Sequence, residues 1–340
     1  MNIKSVAKIC AIFVAVSAFG IEGMSFEHGD WKVACDNTGT CRVAGFQADS
    51  VGSEPISILF TILAGKGAKI SNEVQIFAEN EVDEMELFID DKFIGALKIN
   101  NKNEAGNHID NDKFKLTDAQ TSALIDALHA NPKVELKAKD IAFELSPVGF
   151  NAVWLKMNEF QGRLKGQKLL TPRPMPVIKK IKFDDENGSE IPRDSPDFTR
   201  VRGILKALPE AAECFDLVDE FDGFGERKKI GGIWKYKIND EKILVQTRCY
   251  LAAYNESSLL AVMDKRLEKV YFASSEFNEV GSGEISGMYK DRGFGDCWNK
   301  TEAVWDGEKF VKSSEWDSGP CKGIAGGAWV MPTFVSEVVE

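Results

Sequence analysis

Three histidines, His28, His108 and His129, are the whole supply of imidazole in 340 residues, so a mechanism built on a histidine base has few choices. None stands beside an obvious nucleophile, and His129 at a helix end is explained by the favourable carbonyl end of the dipole. The strings G-x-S-x-G, H-E-x-x-H and G-x-x-x-x-G-K-[ST] are absent from the sequence, which removes the commonest hydrolase, zinc-protease and phosphate-loop chemistries. The run Gly281-Ser282-Gly283-Glu284-Ile285-Ser286-Gly287 has the wrong spacing for phosphate, and Glu284 would repel one, so it is expected to be a flexible turn. Two oxygen-rich spots, Asp110-Asn111-Asp112 and Asp219-Glu220 with Asp222 and Glu226, lack the D-x-[DN]-x-[DN]-G spacing of a calcium loop. Paired carboxylates for glycoside cleavage are set by space, not sequence, and 53 acids offer many accidental pairs. No catalytic residue, metal ligand or cofactor site is assigned from these patterns.

Cysteine carries a clearer message. Of seven cysteines, Cys10 lies in an N-terminal apolar run, leaving Cys35, Cys41, Cys214, Cys249, Cys297 and Cys321. An even number in an exported chain points to disulfides, although six cysteines allow 15 connectivities. Pairing of sequence neighbours is the simplest expectation. With no C-x-x-C and the histidines far away, a zinc site is disfavoured.

Tryptophan marks the candidate binding surface. Trp298, Trp305, Trp316 and Trp329 place four of the seven tryptophans between Tyr289 and Trp329, a density common in interfaces and sugar sites. Packing around Cys297 and Cys321 explains most of them, but Arg292, Asp296, Glu315 and Asp317 lie among them on turns where a core needs no charge. Arg292, Asp296, Trp298, Trp316 and Asp317 are therefore the candidate surface.

The elements that must position these residues follow an export signal in outline. Lys4 and Lys8 precede an uncharged apolar run from Ile9 to Ile21, and Ala18 and Gly20 offer a small-residue cleavage site. Cleavage after Gly20 is expected, with a later cut near Ser25 as the alternative. The run is too short for a bilayer that needs about twenty residues, and no later stretch is apolar enough to span one. Losing the two lysines takes the formal charge from −11 to −13. That charge argues against nucleic-acid and anionic-membrane partners. Hydrophobic content of 44% and charged content of 28% are those of an ordinary folded chain.

Alternating patterns at Ile56–Leu63 and Glu73–Phe77, and across Asp90-Asp91 and Lys139-Asp140, predict antiparallel hairpins. Thr117 with Gln120 predicts a capped helix with Ala123, Leu124, Ala127 and Leu128 on one face. Ser146-Pro147 opens a second, carrying Phe150, Val153, Trp154 and Met157 to Gly162. The Pro-rich, charge-mixed stretch 165–197 reads as a linker. Beyond it come a helix with Phe198, Val201, Leu205 and Leu208, then strands at Trp234–Ile238, Ile243–Tyr250, Val270–Ala273 and Gly287–Lys290. A last hairpin joins Ala303–Trp305 to Lys309–Val311 through a type I′ turn at Asp306-Gly307. The expected fold is mainly β (α+β): a signal peptide over 1–20, a β-rich domain with two helices over 21–164, the linker, and a β-rich domain over 198–340, with disulfides stapling antiparallel sheets.

Several short motifs occur together: Trp31-Lys32-Val33-Ala34-Cys35 with Gly39-Thr40-Cys41-Arg42, Gln161-Gly162-Arg163, Cys249-Tyr250 with Ala253-Tyr254-Asn255, Gly295-Asp296-Cys297, Trp305-Asp306-Gly307, Cys321-Lys322-Gly323, Gly326-Gly327-Ala328-Trp329 and Pro332-Thr333. In this order they resemble the exported bacterial family known as domain of unknown function 1176. The Trp-x-x-x-Cys opening is more weakly similar to the invasion-associated locus B proteins, over the first domain. Lys322 departs from the arginine expected there, keeping charge but losing a bidentate fork. The resemblance implies a protein of the bacterial envelope, periplasmic or secreted, and supplies no catalytic residues. The expected function is non-enzymatic binding of an envelope protein or polymer. The alternatives are a carboxylate hydrolase of envelope polymers and an inhibitor of a cell-wall-degrading enzyme that presents an acidic loop to a basic cleft. The oligomeric state is not readable from the sequence.

Overall fold

The computed structural model describes residues 21–49, 54–78, 82–101, 113–139, 141–218 and 231–340. The export signal, His108, Asp140 and both oxygen-rich spots lie outside the described residues.

The first part of the chain builds strands β1 (Met24–His28), β2 (Trp31–Cys35), β3 (Cys41–Phe46), β4 (Ile56–Ile62), β5 (Ile70–Ile76), β6 (Glu84–Ile89), β7 (Lys92–Asn101), β8 (Lys113–Phe114), β9 (Val134–Ala138) and β10 (Ile141–Leu145). They form one ten-stranded sheet in the order β1-β2-β3-β4-β5-β8-β7-β6-β9-β10, antiparallel throughout. Asp90 and Asp91 turn the β6–β7 hairpin with φ of 49° and 62°, the left-handed pair that a two-residue turn requires. The register of β2 on β3 sets Trp31 opposite Gly45, and a Cβ on Gly45 would lie 2.4 Å from the Trp31 ring. Only glycine lets that indole lie flat on the strand, stacked beside Phe60 and edge-on to Phe150.

Helix α1 (Asp118–Leu128) carries the expected capping box between Thr117 and Gln120. Its buried face includes Ile125, Gln120 and Thr121 beside Leu124 and Leu128, because Asn72 reaches in to bond the Leu116 carbonyl and Thr121 Oγ1. Helix α2 (Phe150–Phe160) begins three residues later than Ser146-Pro147 suggests, at Gly149. Ser146 is diverted: its hydroxyl donates to Asp30 Oδ2 at 2.6 Å and its carbonyl accepts from Trp31 Nε1 at 2.7 Å. Phe150, Val153 and Met157 are buried as expected, with Trp154 packed at the margin.

The stretch read as a linker is ordered and partly built in. Its exposed pieces are 165–168 and 171–175, with Leu169 and Leu170 half-buried between them. After that, β11 (Val177–Lys179) pairs in parallel with the C-terminal β22 (Glu337–Val339), Ile181 N–H donates to the Trp305 carbonyl, and Phe183 and Ile191 enter two different cores. Pairing and burial of this kind belong to a folded domain, whatever the proline content. Limited trypsin is accordingly expected to cut at Lys165 and Lys168, since Arg173 precedes proline and Lys179 sits in a strand. The two fragments should then elute together from a sizing column until denaturant is added. Separate elution would show that the lobes are independent.

The second lobe is two five-stranded antiparallel sheets. One runs β12 (Ser189–Glu190), β13 (Ile233–Lys237), β14 (Lys242–Leu251), β15 (Glu256–Asp264), β16 (Val270–Ser274). The other runs β17 (Glu279–Gly281), β18 (Glu284–Lys290), β19 (Trp298–Trp305), β20 (Phe310–Asp317), β21 (Met331–Val335). Helices α3 (Pro196–Lys206) and α4 (Phe215–Val218) cover one face of the first, where Phe198, Val201 and Leu205 meet Val245, Leu259 and Ala261. Its other face packs on the second sheet through Leu244, Leu260 and Val262 against Ile285, Ala303 and Trp305. The glycine run is the β17–β18 hairpin, not a loose turn, with Gly283 at φ 75° and its carbonyl bonded to Trp305 N–H. The Asp306-Gly307 hairpin forms, but not as type I′: only Gly307 has positive φ, at 106°. Asp306 instead caps Glu308 and Lys309 N–H groups at 2.8 Å each.

The disulfides pair Cys35 with Cys41, Cys214 with Cys249 and Cys297 with Cys321, the neighbour pairing expected. Chain entropy makes the 35-residue and 24-residue separations worth about 3 to 4 kcal/mol each and the 6-residue one about 2.

Candidate functional site

The loop from β20 to β21 crosses onto the first lobe. Ile324, Ala328, Trp329 and Met331 pack on Ala34, Ala44, Phe46 and Leu59, and Trp329 Nε1 donates to Ser57 Oγ at 2.7 Å. Lys322 Nζ lies 2.7 Å from both Asp30 and Asp49, and Asn37 exchanges two bonds with Val335. The candidate surface therefore divides. Asp296 is buried, gripped by the Arg292 guanidinium and by Gly323 N–H at 2.6 Å. Burial alone would raise its pKa, but the Arg292 and Gly323 hydrogen bonds outweigh it and hold the carboxyl below its ordinary range. Arg292 and Asp296 thus clamp the loop closed by Cys297–Cys321. Asp317 bonds Gly319 N–H and pairs with Lys32 at 3.0 Å, another tie between lobes.

Strand alternation separates the rest. Trp298 and Trp316 share the outer face of the second sheet, Trp316 directly opposite Lys300. Trp298 Nε1 donates to the Gly295 carbonyl at 2.9 Å, and Lys290 lies 4.9 Å above its ring. Trp305 and Trp329 are core, 2% and 6% exposed. Trp316, half-buried on a strand face, is expected to tolerate Trp316→Ala with a melting shift of at most a few degrees. Calorimetry checks this, and a loss near the ~3 to 5 kcal/mol of a core truncation would place it in the core instead.

The inner face of the same sheet carries what sequence reasoning missed. Asn299 and Thr301 lie opposite Tyr289 and Gly287 on one side and Asp317 and Glu315 on the other. Farther along this face Ile285, Ala303 and Trp305 make the core between the sheets. Beyond that core, the sheets part into a cleft of about 430 Å3. Tyr289, Asn299, Thr301, Lys312 and Glu315 form one wall. Glu213, Cys249, Tyr250, Ser275 and Glu276 form the other. A register shift between Arg248 and Tyr250 pairs Tyr250 with Ser257, so that it packs against the Cys214 and Cys249 core while lining the cleft, and the Cys214–Cys249 disulfide fixes Glu213 beside it. Gly287 is needed here: a Cβ would come 2.0 Å from the Glu276 carbonyl, so a larger residue would push the Glu276 loop away.

Tyr289 Oη is enclosed, with the Ser257 hydroxyl its polar neighbour. Ser257 beside it donates its own hydroxyl to the Ser275 carbonyl at 2.7 Å. Burial, with Tyr250 and Glu276 adding to it, outweighs the Ser257 hydroxyl's opposing hydrogen bond and pushes the Tyr289 phenol above its usual 10.0. The only signals in the sequence were Cys249-Tyr250 and the opening of the Tyr289–Trp329 stretch, neither of which announces a cavity.

As for metals, the one tight ligand grouping among the described residues is Asp291 with Cys297 and Cys321, and its sulfurs are bonded to each other. No helix of the described residues is long and apolar enough to cross a membrane.

Residues 25–336 match the model of a family described as Protein of unknown function (DUF1176). No curated protein matches the chain. Among solved structures, the crystal structure of invasion associated protein B from Bartonella henselae is similar at 13% identity and a TM-score of 0.29, covering 41% of this chain and 98% of that one.

Proposed function

We propose that this chain, which belongs to the DUF1176 family of proteins of unknown function, is an exported binding protein of the bacterial envelope that holds its ligand, without turning it over, in the cleft between its last two sheets. The observation that carries this reading is the cleft itself, about 430 Å3 and lined by Glu213, Tyr250, Glu276, Tyr289, Asn299 and Thr301. The disulfides support the same reading, since a wall fixed in advance spends little ordering entropy on binding. Periplasmic or secreted placement rests on the charged, apolar and small-residue order of the first twenty residues and on six paired cysteines.

The carboxylates of Glu213, Glu276 and Glu315 along the cleft favour one second reading, cleavage of an envelope polymer. One experiment separates the two. Purified protein is incubated with soluble peptidoglycan fragments and with a small-molecule extract of the envelope, then read by native mass spectrometry beside Thr301→Trp, which fills the cleft. Retention by the wild type and its loss in T301W is expected. Equal retention by T301W overturns the cleft as the binding site, and new, smaller fragments in solution establish the hydrolase.

A further inference from the structure

We propose that the Cys297–Cys321 disulfide is a redox latch: a dithiol reductant opens it ahead of the other two, and opening it releases the β20–β21 loop from the first lobe. Access comes first. Thiol–disulfide exchange begins when a thiolate reaches one sulfur of the bond, so burial of both partners protects a disulfide. Cys35, Cys41, Cys214, Cys249 and Cys297 are all at most 1% exposed. Cys321 alone is half-buried, which gives a reductant one approach among the six.

The position of the bond makes its opening consequential. Cys297 directly precedes β19, and Cys321 directly precedes Lys322, which reaches Asp30 of the first lobe at 2.7 Å. Between β20 and β21 the chain forms no helix or strand, and Gly319, Gly323, Gly326 and Gly327 all hold positive φ, from 82° to 88°. A segment so rich in glycine gains much backbone freedom once untied. What ties it is the segment 295–298. Gly326 N–H donates to the Gly295 carbonyl at 2.9 Å, Gly323 N–H to Asp296 at 2.6 Å, and Ser318 N–H to the Trp298 carbonyl at 2.8 Å. The disulfide is the covalent member of this row. Its loss leaves hydrogen bonds of small net worth to keep Lys322 and Trp329 seated in the first lobe.

The chemistry balances with a dithiol. One thiolate attacks Cys321 Sγ, the S–S bond breaks, and its electron pair leaves on Cys297 Sγ, which takes a proton from water. The second thiolate then attacks the reductant's own sulfur in the mixed disulfide, closing a ring and releasing Cys321 as a thiolate that is protonated in turn. Two electrons and two protons pass to the protein, and the reductant leaves as a disulfide. Asp291, with a carboxylate oxygen within 4.8 Å of both sulfurs, opposes a thiolate here, so the opened pair rests as thiols and recloses slowly.

Dithiothreitol added to the folded, oxidised protein without denaturant tests the latch. Samples are quenched with acid, alkylated in urea and read cysteine by cysteine by peptide mass spectrometry. Cys297 and Cys321 are expected to be labelled about tenfold faster than the other four. Trypsin on the same samples should cut after Lys322, which is 8% exposed in the oxidised protein, in step with that labelling. The double variant Cys297→Ser, Cys321→Ser should show the same cut without reductant. Labelling of all six at one rate, or of either other disulfide first, overturns selective opening. Labelling of Cys297 and Cys321 with Lys322 still protected, or protection of Lys322 in the double variant, overturns the latch, because the loop then keeps its seat without the bond.

Discussion

Lys322→Ala is expected to cost about 3 to 5 kcal/mol, the usual loss when one partner of a buried pair is removed. The lysine side chain is 6% exposed and Asp30 13%, so truncation strands the Asp30 carboxylate with, among the described residues, Ser146 Oγ alone to bond it. Asp49, 83% exposed, adds little, because water screens it. The Gln47 Nε2 bond to the Lys322 backbone carbonyl at 2.6 Å survives in the alanine variant, so the loss reports the ammonium alone. Lys322→Arg keeps the charge but must seat a larger planar group in a buried site, so an intermediate loss is expected. The pH dependence gives an independent reading. Burial pulls the ammonium pKa down, but the bonds and charges of Asp30 and Asp49 outweigh it and hold Lys322 above 10.5. A raised lysine contributes stability that is fully present below the unfolded value and is lost as pH rises through the folded one. Wild type should therefore lose stability above about pH 10.5 more steeply than Lys322→Ala. Parallel urea titrations at pH 8 and pH 11 measure both effects. A loss under 1 kcal/mol at pH 8 would show that the contact between lobes is loose.

What the sequence disclosed followed from local rules. The Thr117 capping box, the Asp90-Asp91 turn and the Phe198-Val201-Leu205 helix face depend on residues a few positions apart, and all three form. The β-rich class emerged from alternation, and the three disulfides from an even cysteine count in a chain expected to be exported. The central strand β15 did not. Its run from Ser257 to Met263 is buried at every position, so period-two alternation is absent and the pattern that flagged its neighbours was silent. The cleft was invisible for a different reason: Glu213, Tyr250, Glu276, Tyr289 and Thr301 come from five separated segments, brought together by registers that no local rule fixes. The candidate surface fared in between. Charges on turns were read as exposed chemistry, whereas Asp296 and Asp317 spend theirs on Arg292 and Lys32, partners at 4 and 285 positions away.

Trp329→Ala is expected to be among the most damaging single substitutions in the chain, a loss of about 3 to 5 kcal/mol. Its position at the C-terminal end of a glycine-rich loop, Gly326-Gly327-Ala328-Trp329, looks in sequence no more central than that of Trp316. The difference is where each indole is inserted. Trp329 is 6% exposed and closes an apolar cluster of Ala34, Ala44, Phe46 and Leu59 from the other lobe. Its N–H bonds Ser57 Oγ, and Ser57 Oγ in turn donates to the Gly45 carbonyl at 2.9 Å. Truncation therefore opens a cavity between lobes and breaks a bonded relay that reaches the strand under Trp31. Trp329→Phe should recover most of the packing and leave Ser57 with its Gly45 bond, costing about 1 to 2 kcal/mol. The order Trp329→Ala, Trp329→Phe, Trp316→Ala in falling severity is the expected result of calorimetry on the three variants. If Trp329→Ala melts within two degrees of wild type, the loop does not cement the lobes, and the trypsin fragments cut at Lys165 and Lys168 should then separate without denaturant.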